Sequence, residues 1–182
     1  NKKNVHYAAI SDSSVIDSNV NRVLLKSPNS FGLPPEINSY RFDHFNYKRL
    51  KNLSTKIKPS YIYQRLSICS YMGAKLANKL KIPLIVEYNG SEVWIARNWG
   101  RPLVFEKIAK KAEDLMLNRA NVVVTISDVL KDELINRGVN PNKIVSYPNC
   151  IDPEIFNPNR FFNDNINKLK SEYNLCPETK LV

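Results

Sequence analysis

The sequence predicts an α/β protein: a Rossmann-like parallel sheet with helices on both faces. Three observations point there. Short runs such as 84–86 and 122–126 are apolar or β-branched throughout, as strands buried on both faces are. Each run breaks into polar residues and is followed by a segment with helical apolar spacing. The connections are short, and repeated strand–helix units with short connections build parallel sheets through right-handed crossovers.

The chain of 182 residues can bury one good-sized core and part of a second domain. Its hydrophobic content, 43%, is ordinary for a folded protein. No apolar run approaches the ~18–20 residues needed to span a bilayer. Residues 1–4 offer neither an initiator methionine nor a signal-peptide core, so the chain reads as cut from something longer. Three widely spaced cysteines, Cys69, Cys150 and Cys176, argue against a disulfide framework and for a reducing, cytoplasmic compartment. With only His6 and His44, no metal site is expected. The net charge of +10 favours an anionic partner: phosphate, nucleic acid or an acidic membrane surface. A solvated lysine-rich surface explains it equally well.

Strands are expected at 5–10 and 20–25, with loops at 11–19 and 27–35. Residues 46–57 read as a helix, since Leu50, Leu53 and Ile57 recur at helical spacing. From Arg41 to Lys58 there are six Lys/Arg and one acid, Asp43, so this helix either lies on a membrane or shows a wet outer face. Pro59 stops it. A strand at 61–63 runs into Gln64 and Arg65. Ser67 is placed to cap a helix over 68–80, whose Gly73, Ala74 and Ala77 permit close packing. The strand 84–86 then breaks into Glu87, Asn89, Gly90, Ser91 and Glu92, and Asn-Gly is a strong turn signal. The loop beyond carries Trp94 and Trp99. Pro102 opens a helix to about 119, with Phe105, Ile108, Ala112 and Leu115 as its buried stripe and Met116 beside it. The strand 121–126 exits into Ser127, read as the cap of a helix over 128–137 that ends at Gly138. A strand at 143–147 leads to Asn149 and a proline-punctuated connector. A short helix at 165–173 precedes the start of a strand at 180–182.

In a parallel sheet the four exits, Arg65, Asn89-Gly90, Ser127 and Asn149, share one edge, where open α/β sheets bind ligands. Each also has a plain reading: surface charge, tight turn, cap, turn. Glu87 and Glu92 flank the Asn-Gly turn as surface acids or as partners of a ligand. Helix N-termini at that edge offer N–H groups that suit phosphate. There is no Gly-rich phosphate loop, no nucleophile elbow, and no cysteine with a nearby histidine. The aromatics are not laid out as an RNA-binding platform.

Three segments carry a resemblance. They are Pro83–Glu92, with E-x-N-G-x-E at its end; Ala120–Ser127, reading A-N-V-V-V-T-I-S; and Lys143–Asp152 with Phe156 and Pro158, reading K-I-V-S-Y-P-N-C-I-D…F-N-P. In this order they resemble the N-terminal domain of glycosyltransferase family 4, the retaining enzymes of GT-B fold. Two positions depart. Asn89 stands where many members have histidine, and an amide cannot act as a general base. Cys150 stands where a glycine usually follows Pro-Asn.

The resemblance implies one half of a GT-B enzyme: an acceptor-side domain over 1–158 that starts after the family's first strand and Gly-rich loop, then at 159–182 a linker and the start of a nucleotide-sugar-binding domain. It implies sugar transfer from a nucleotide-sugar to a glycan or lipid-linked acceptor in bacterial surface polysaccharide biosynthesis, with no obligatory metal or other cofactor. This half alone is expected to be inactive. Asn89, Gly90 and Glu92 would line the cleft as catalytic residues. Arg65, Glu87 and Ser127 would bind substrate, and Asn149 and Asp152 would form the hinge. The basic helix would touch anionic lipid at the inner membrane face, and no nucleic acid is expected. Two other readings stay open: another GT-B enzyme such as a nucleotide-sugar epimerase, and a non-enzymatic basic module that binds nucleic acid.

Overall fold

The computed structural model describes residues 4–10, 20–27, 32–99, 102–160 and 163–180. The chain divides into two compact units, Asn1–Pro148 and Asn149–Val182. The expected loop at 11–19, residues 28–31 of that at 27–35, and Leu181 and Val182 of the last expected strand lie outside the described residues.

Among the described residues the first unit holds six parallel strands in two sheets. β1 (His6–Ala9) pairs with β2 (Asn21–Leu24). β3 (Ile62–Arg65), β4 (Leu84–Tyr88), β5 (Val122–Thr125) and β6 (Ile144–Ser146) pair side by side in chain order. Five helices accompany them: α1 (Pro35–Ile57), α2 (Met72–Leu80), α3 (Glu92–Asn98), α4 (Glu106–Arg119) and α5 (Asp128–Asn136). In the second unit α6 (Asn163–Glu172) follows a stretch of turns. The α/β class with parallel strands is as the sequence predicts.

The layering differs from the expectation. Because strand order follows chain order, each right-handed crossover returns on the same side of the sheet. Accordingly α2 packs on β3 and β4, α4 on β4, and α5 on β5 and β6. Along β4, Leu84, Val86 and Tyr88 are sealed in, while Ile85 and Glu87 are half-buried. In register with those two stand Tyr63, Arg65, Val122, Val124 and Val145, all half-buried or exposed. Among the described residues, then, helices cover one face of the four-stranded sheet, not both. The focal strand alternates where a doubly buried run was expected.

The main core is that covered face. Leu84, Val86, Tyr88, Val123 and Ile144 meet Ala74, Ala77, Met116, Leu117 and Leu134. Each large side chain sealed there stabilises the fold by about 1.5–3 kcal/mol. A second cluster, Leu25, Leu50, Met72 and Leu76 with Val23 and Ile62, ties β2, α1, α2 and β3 together.

Four helical expectations are corrected. α1 begins eleven residues before the expected Asn46, at Pro35, where a proline's missing N–H is harmless. Its buried face is partly polar, with Glu36, Asp43, Asn46 and Ser54, which hides it from an apolar periodicity. α2 begins at Met72, and Ser67 does not cap it: the Ser67 carbonyl accepts from Ser70 N in a turn that carries Cys69 at φ +53°. Trp94 lies on α3 and Trp99 at its end, in what was read as a loop. In α4 the buried residues are Ala109, Glu113, Met116 and Leu117. Phe105, Ile108 and Leu115, expected inside, are exposed. The buried Glu113 sits in the inward face and shifts the apparent apolar stripe.

Candidate functional site

The carboxyl edge of the four-stranded sheet gathers Arg65, Glu87, Asn89 and Ser127 at or just after strand ends. Glu87 is its organiser. Parallel register sets it opposite Arg65, on the uncovered face. Its Oε2 accepts from the Tyr63 hydroxyl at 2.9 Å and its Oε1 from Asn89 Nδ2 at 2.8 Å, with Arg65 Nε at 4.0 Å. Tyr63 was not singled out from sequence. Its phenol is pushed up to about 12, first by desolvation and then by the Glu87 carboxylate.

Glu87 also fixes which way Asn89 points. A carboxylate accepts hydrogen bonds, so the amide must turn its NH2 toward it. That leaves Asn89 Oδ1 covered and without a hydrogen-bond partner among the described residues. The next residue, Gly90, sits at φ +125°, a backbone conformation that side chains with a Cβ rarely adopt. Then Ser91 accepts from Trp94 N at 3.2 Å and caps α3, which places Glu92 in the first helical turn.

Beneath this loop lies a polar network that sequence reasoning missed. Glu113 of α4, 5% exposed, accepts from Glu92 N at 3.1 Å and from the Ser91 hydroxyl at 3.2 Å. Its other oxygen is 2.6 Å from Arg137 Nη1. Arg137 also donates to Asp114 at 2.6 Å and to the Tyr88 hydroxyl at 3.0 Å, and Tyr88 in turn donates to Glu133 at 2.7 Å. Burial works against the Arg137 charge, but Asp114 and Glu113 outweigh it and hold the guanidinium above its ordinary range. The Tyr88 phenol is raised by burial and by Glu133. The network braces loop 89–92 against α4 and α5.

Glu113 is one of three buried carboxylates with the same duty. Glu36 of α1 accepts from Phe105 N at 2.7 Å, at the start of α4. Asp43 of α1 accepts from Tyr71 N at 2.9 Å and from Ser70, at the start of α2. Burial raises the Asp43 carboxyl against those hydrogen bonds. Each of these three helix N-termini receives a carboxylate from another helix, the anionic partner that its dipole favours. Ser127 caps α5 by accepting from Leu130 N at 3.3 Å, the plain reading of that residue. At α2, α3 and α4, helix starts expected to suit phosphate therefore already face an anion. Gln64 completes the edge: it accepts from Gly73 N at 2.6 Å and donates to Ser70 Oγ at 2.9 Å.

Asn149 and Asp152 lie in the second unit. Asn149 is exposed, and Asp152 Oδ1 accepts from Glu154 N at 2.9 Å in a local turn. Cys69 is buried, its thiol pushed up to about 11 by desolvation and nearby acids, which keeps it unreactive. Among the described residues no group of three or more His, Cys, Asp or Glu is placed to hold a metal ion.

Comparisons place the chain among known folds. No curated protein matches the chain. Among solved structures, a glycosyltransferase from Rickettsia africae ESF-5 is similar at a TM-score of 0.58 and 16% identity, over 95% of this chain and 42% of that one. A UDP-N-acetylglucosamine 2-epimerase from Rickettsia bellii is similar at 0.56 and 16%, over 90% of this chain and 38% of that one. At such identities the likeness is one of fold, and the chain spans about two fifths of either protein. The family model described as Glycosyltransferase Family 4 matches residues 4–155. The chain belongs to glycosyltransferase family 4.

Proposed function

We propose that the chain is the acceptor-side domain of a retaining glycosyltransferase. It would work beside a nucleotide-sugar-binding domain and present a hydroxyl of a glycan or lipid-linked acceptor to the donor sugar. Such transfer serves surface polysaccharide biosynthesis, on the cytoplasmic side of a membrane whose anionic lipid the basic face of α1 would meet. No metal is needed for this chemistry, since catalysis rests on positioning and on stabilising the departing diphosphate.

One observation carries the assignment to the acceptor side. At the sheet edge the N-termini of α2, α3 and α4 already hold the carboxylates of Asp43, Glu113 and Glu36. An edge so filled repels a diphosphate and tolerates a neutral hydroxyl. Asn89, Gly90 and Glu92 would contact the reacting sugars there, with Arg65, Glu87 and Ser127 as supports. Asn149 and Asp152, which follow the sheet, would serve as the hinge. Mass spectrometry of the intact enzyme's products with a panel of nucleotide-sugars and glycan acceptors tests this. A sugar added to an acceptor is expected.

The second reading, an epimerase, is favoured by the likeness to the Rickettsia bellii enzyme's fold. The same assay separates the two: a changed sugar on the nucleotide, with nothing added to any acceptor, selects the epimerase. A basic nucleic-acid module would instead bind any DNA or RNA with steep salt dependence.

A further inference from the structure

We infer that the outward stripe of α4, with α3 beside it, is a second membrane-docking surface that inserts apolar side chains into an anionic bilayer. The inference rests on the membrane part of the reading above and adds to it where, and how deep, the contact is.

Ile108, Ala112 and Leu115 fall on one side of α4, and Phe105 continues the stripe at its start. Ile108 is 59% exposed and Leu115 46%. The pattern is that of a buried face, yet the helix buries a different one, through Ala109, Glu113, Met116 and Leu117. α3 packs on α4, and the two are joined by the Arg97–Glu106 ion pair. On α3 and at its end stand both tryptophans of the chain, Trp94 57% and Trp99 71% exposed, and Val104 is exposed just before α4.

Charge selects the occupant. Lys107 and Lys111 stand beside the stripe and Arg119 at its end, all exposed. Apolar residues and tryptophan flanked by cations are the chemistry of a helix lying in an anionic lipid interface. A second copy of a chain with net charge +10 would be repelled. Nucleic acid would gain nothing from Ile108 or Leu115. The two docking surfaces meet at one place, because Glu36 in the first turn of α1 holds the N–H at the start of α4. On the outer side of α1, Tyr40 and Phe45 are exposed near that junction, with Lys48 and Lys56 farther along.

The test uses the whole chain and vesicles of phosphatidylcholine with and without phosphatidylglycerol. Binding is read by sedimentation, and insertion by tryptophan emission and its quenching by brominated lipid. The anionic vesicles are expected to bind the chain, shift its emission to the blue and quench it. Ile108→Glu with Leu115→Glu, at exposed positions, should leave the melting temperature unchanged and weaken binding by about tenfold or more. Lys48→Gln with Lys56→Gln should weaken binding while the bound fraction is still quenched. If the Ile108/Leu115 variant binds like the parent, or if the bound chain is not quenched, the inference is overturned and an electrostatic contact through α1 stands. No binding to either vesicle overturns both.

Discussion

Asn89 shows how one residue can be placed correctly in sequence and still be given an incomplete role. It sits in the loop after the strand, as the Asn-Gly signal predicts, but one of its N–H donors serves Glu87. Asn89→Ala in the intact enzyme should remove that hydrogen bond at a cost of about 1 kcal/mol, which moves the melting temperature by a few degrees. If the amide also contacts the reacting sugar, turnover should fall ~10²–10³-fold. Asn89→His should restore part of the rate, since an imidazole N–H can also donate to Glu87. A large drop in melting temperature with unchanged specific activity would make Asn89 a structural turn. Tyr63 offers a pH test. Its folded value, pushed up to about 12, lies above the ordinary 10.0 of a tyrosine, so the stability it adds is whole below about 10 and is lost as pH rises through about 12. Ultraviolet titration of the parent against Tyr63→Phe should show that late ionisation, and Glu87→Gln should bring it lower. Glu87 was legible but its pairing with Tyr63 was not, because the contact joins residues 24 apart in sequence.

At the scale of elements, the bracing of helix starts invites two substitutions. A Cβ on Gly73 would come within 2.2 Å of Gln64 Oε1. Gly73→Ala must therefore displace the side chain that links α2 to Ser70, and urea titration should show a loss of about 1–3 kcal/mol. Arg137→Ala leaves Glu113 buried beside loop 89–92 without its cation, which should cost about 3–5 kcal/mol, and Arg137→Lys should recover part of that. An Arg137→Ala chain as stable as the parent would mean the network is incidental. The strands and the Ser127 cap were legible because their signals are local: β-branched runs, and a serine beside its own helix. The caps on α2, α3 and α4 were not, because each carboxylate comes from another helix, 21 to 69 residues away. The same buried acids blur apolar periodicity, which is why α1 was read short and α4 on the wrong face.

For the whole molecule, the filled helix starts predict selectivity against anions. Isothermal calorimetry of the chain with inorganic pyrophosphate or a nucleotide-sugar should show no binding in the micromolar range, and heat in that range would place the donor site here. The strand order has a further consequence, for assembly. β3, β4, β5 and β6 neighbour one another as they succeed one another in the chain. No strand of that sheet waits for a later one to slot between it and its neighbour. Each new strand closes a single crossover onto an edge already made, and the entropy of such closures grows slowly with length. Pairing of this kind keeps each parallel contact to the span of one crossover, less than an order that skips strands would require. On the ribosome, where the N-terminal part folds first, the sheet can grow one strand at a time at the pace of synthesis.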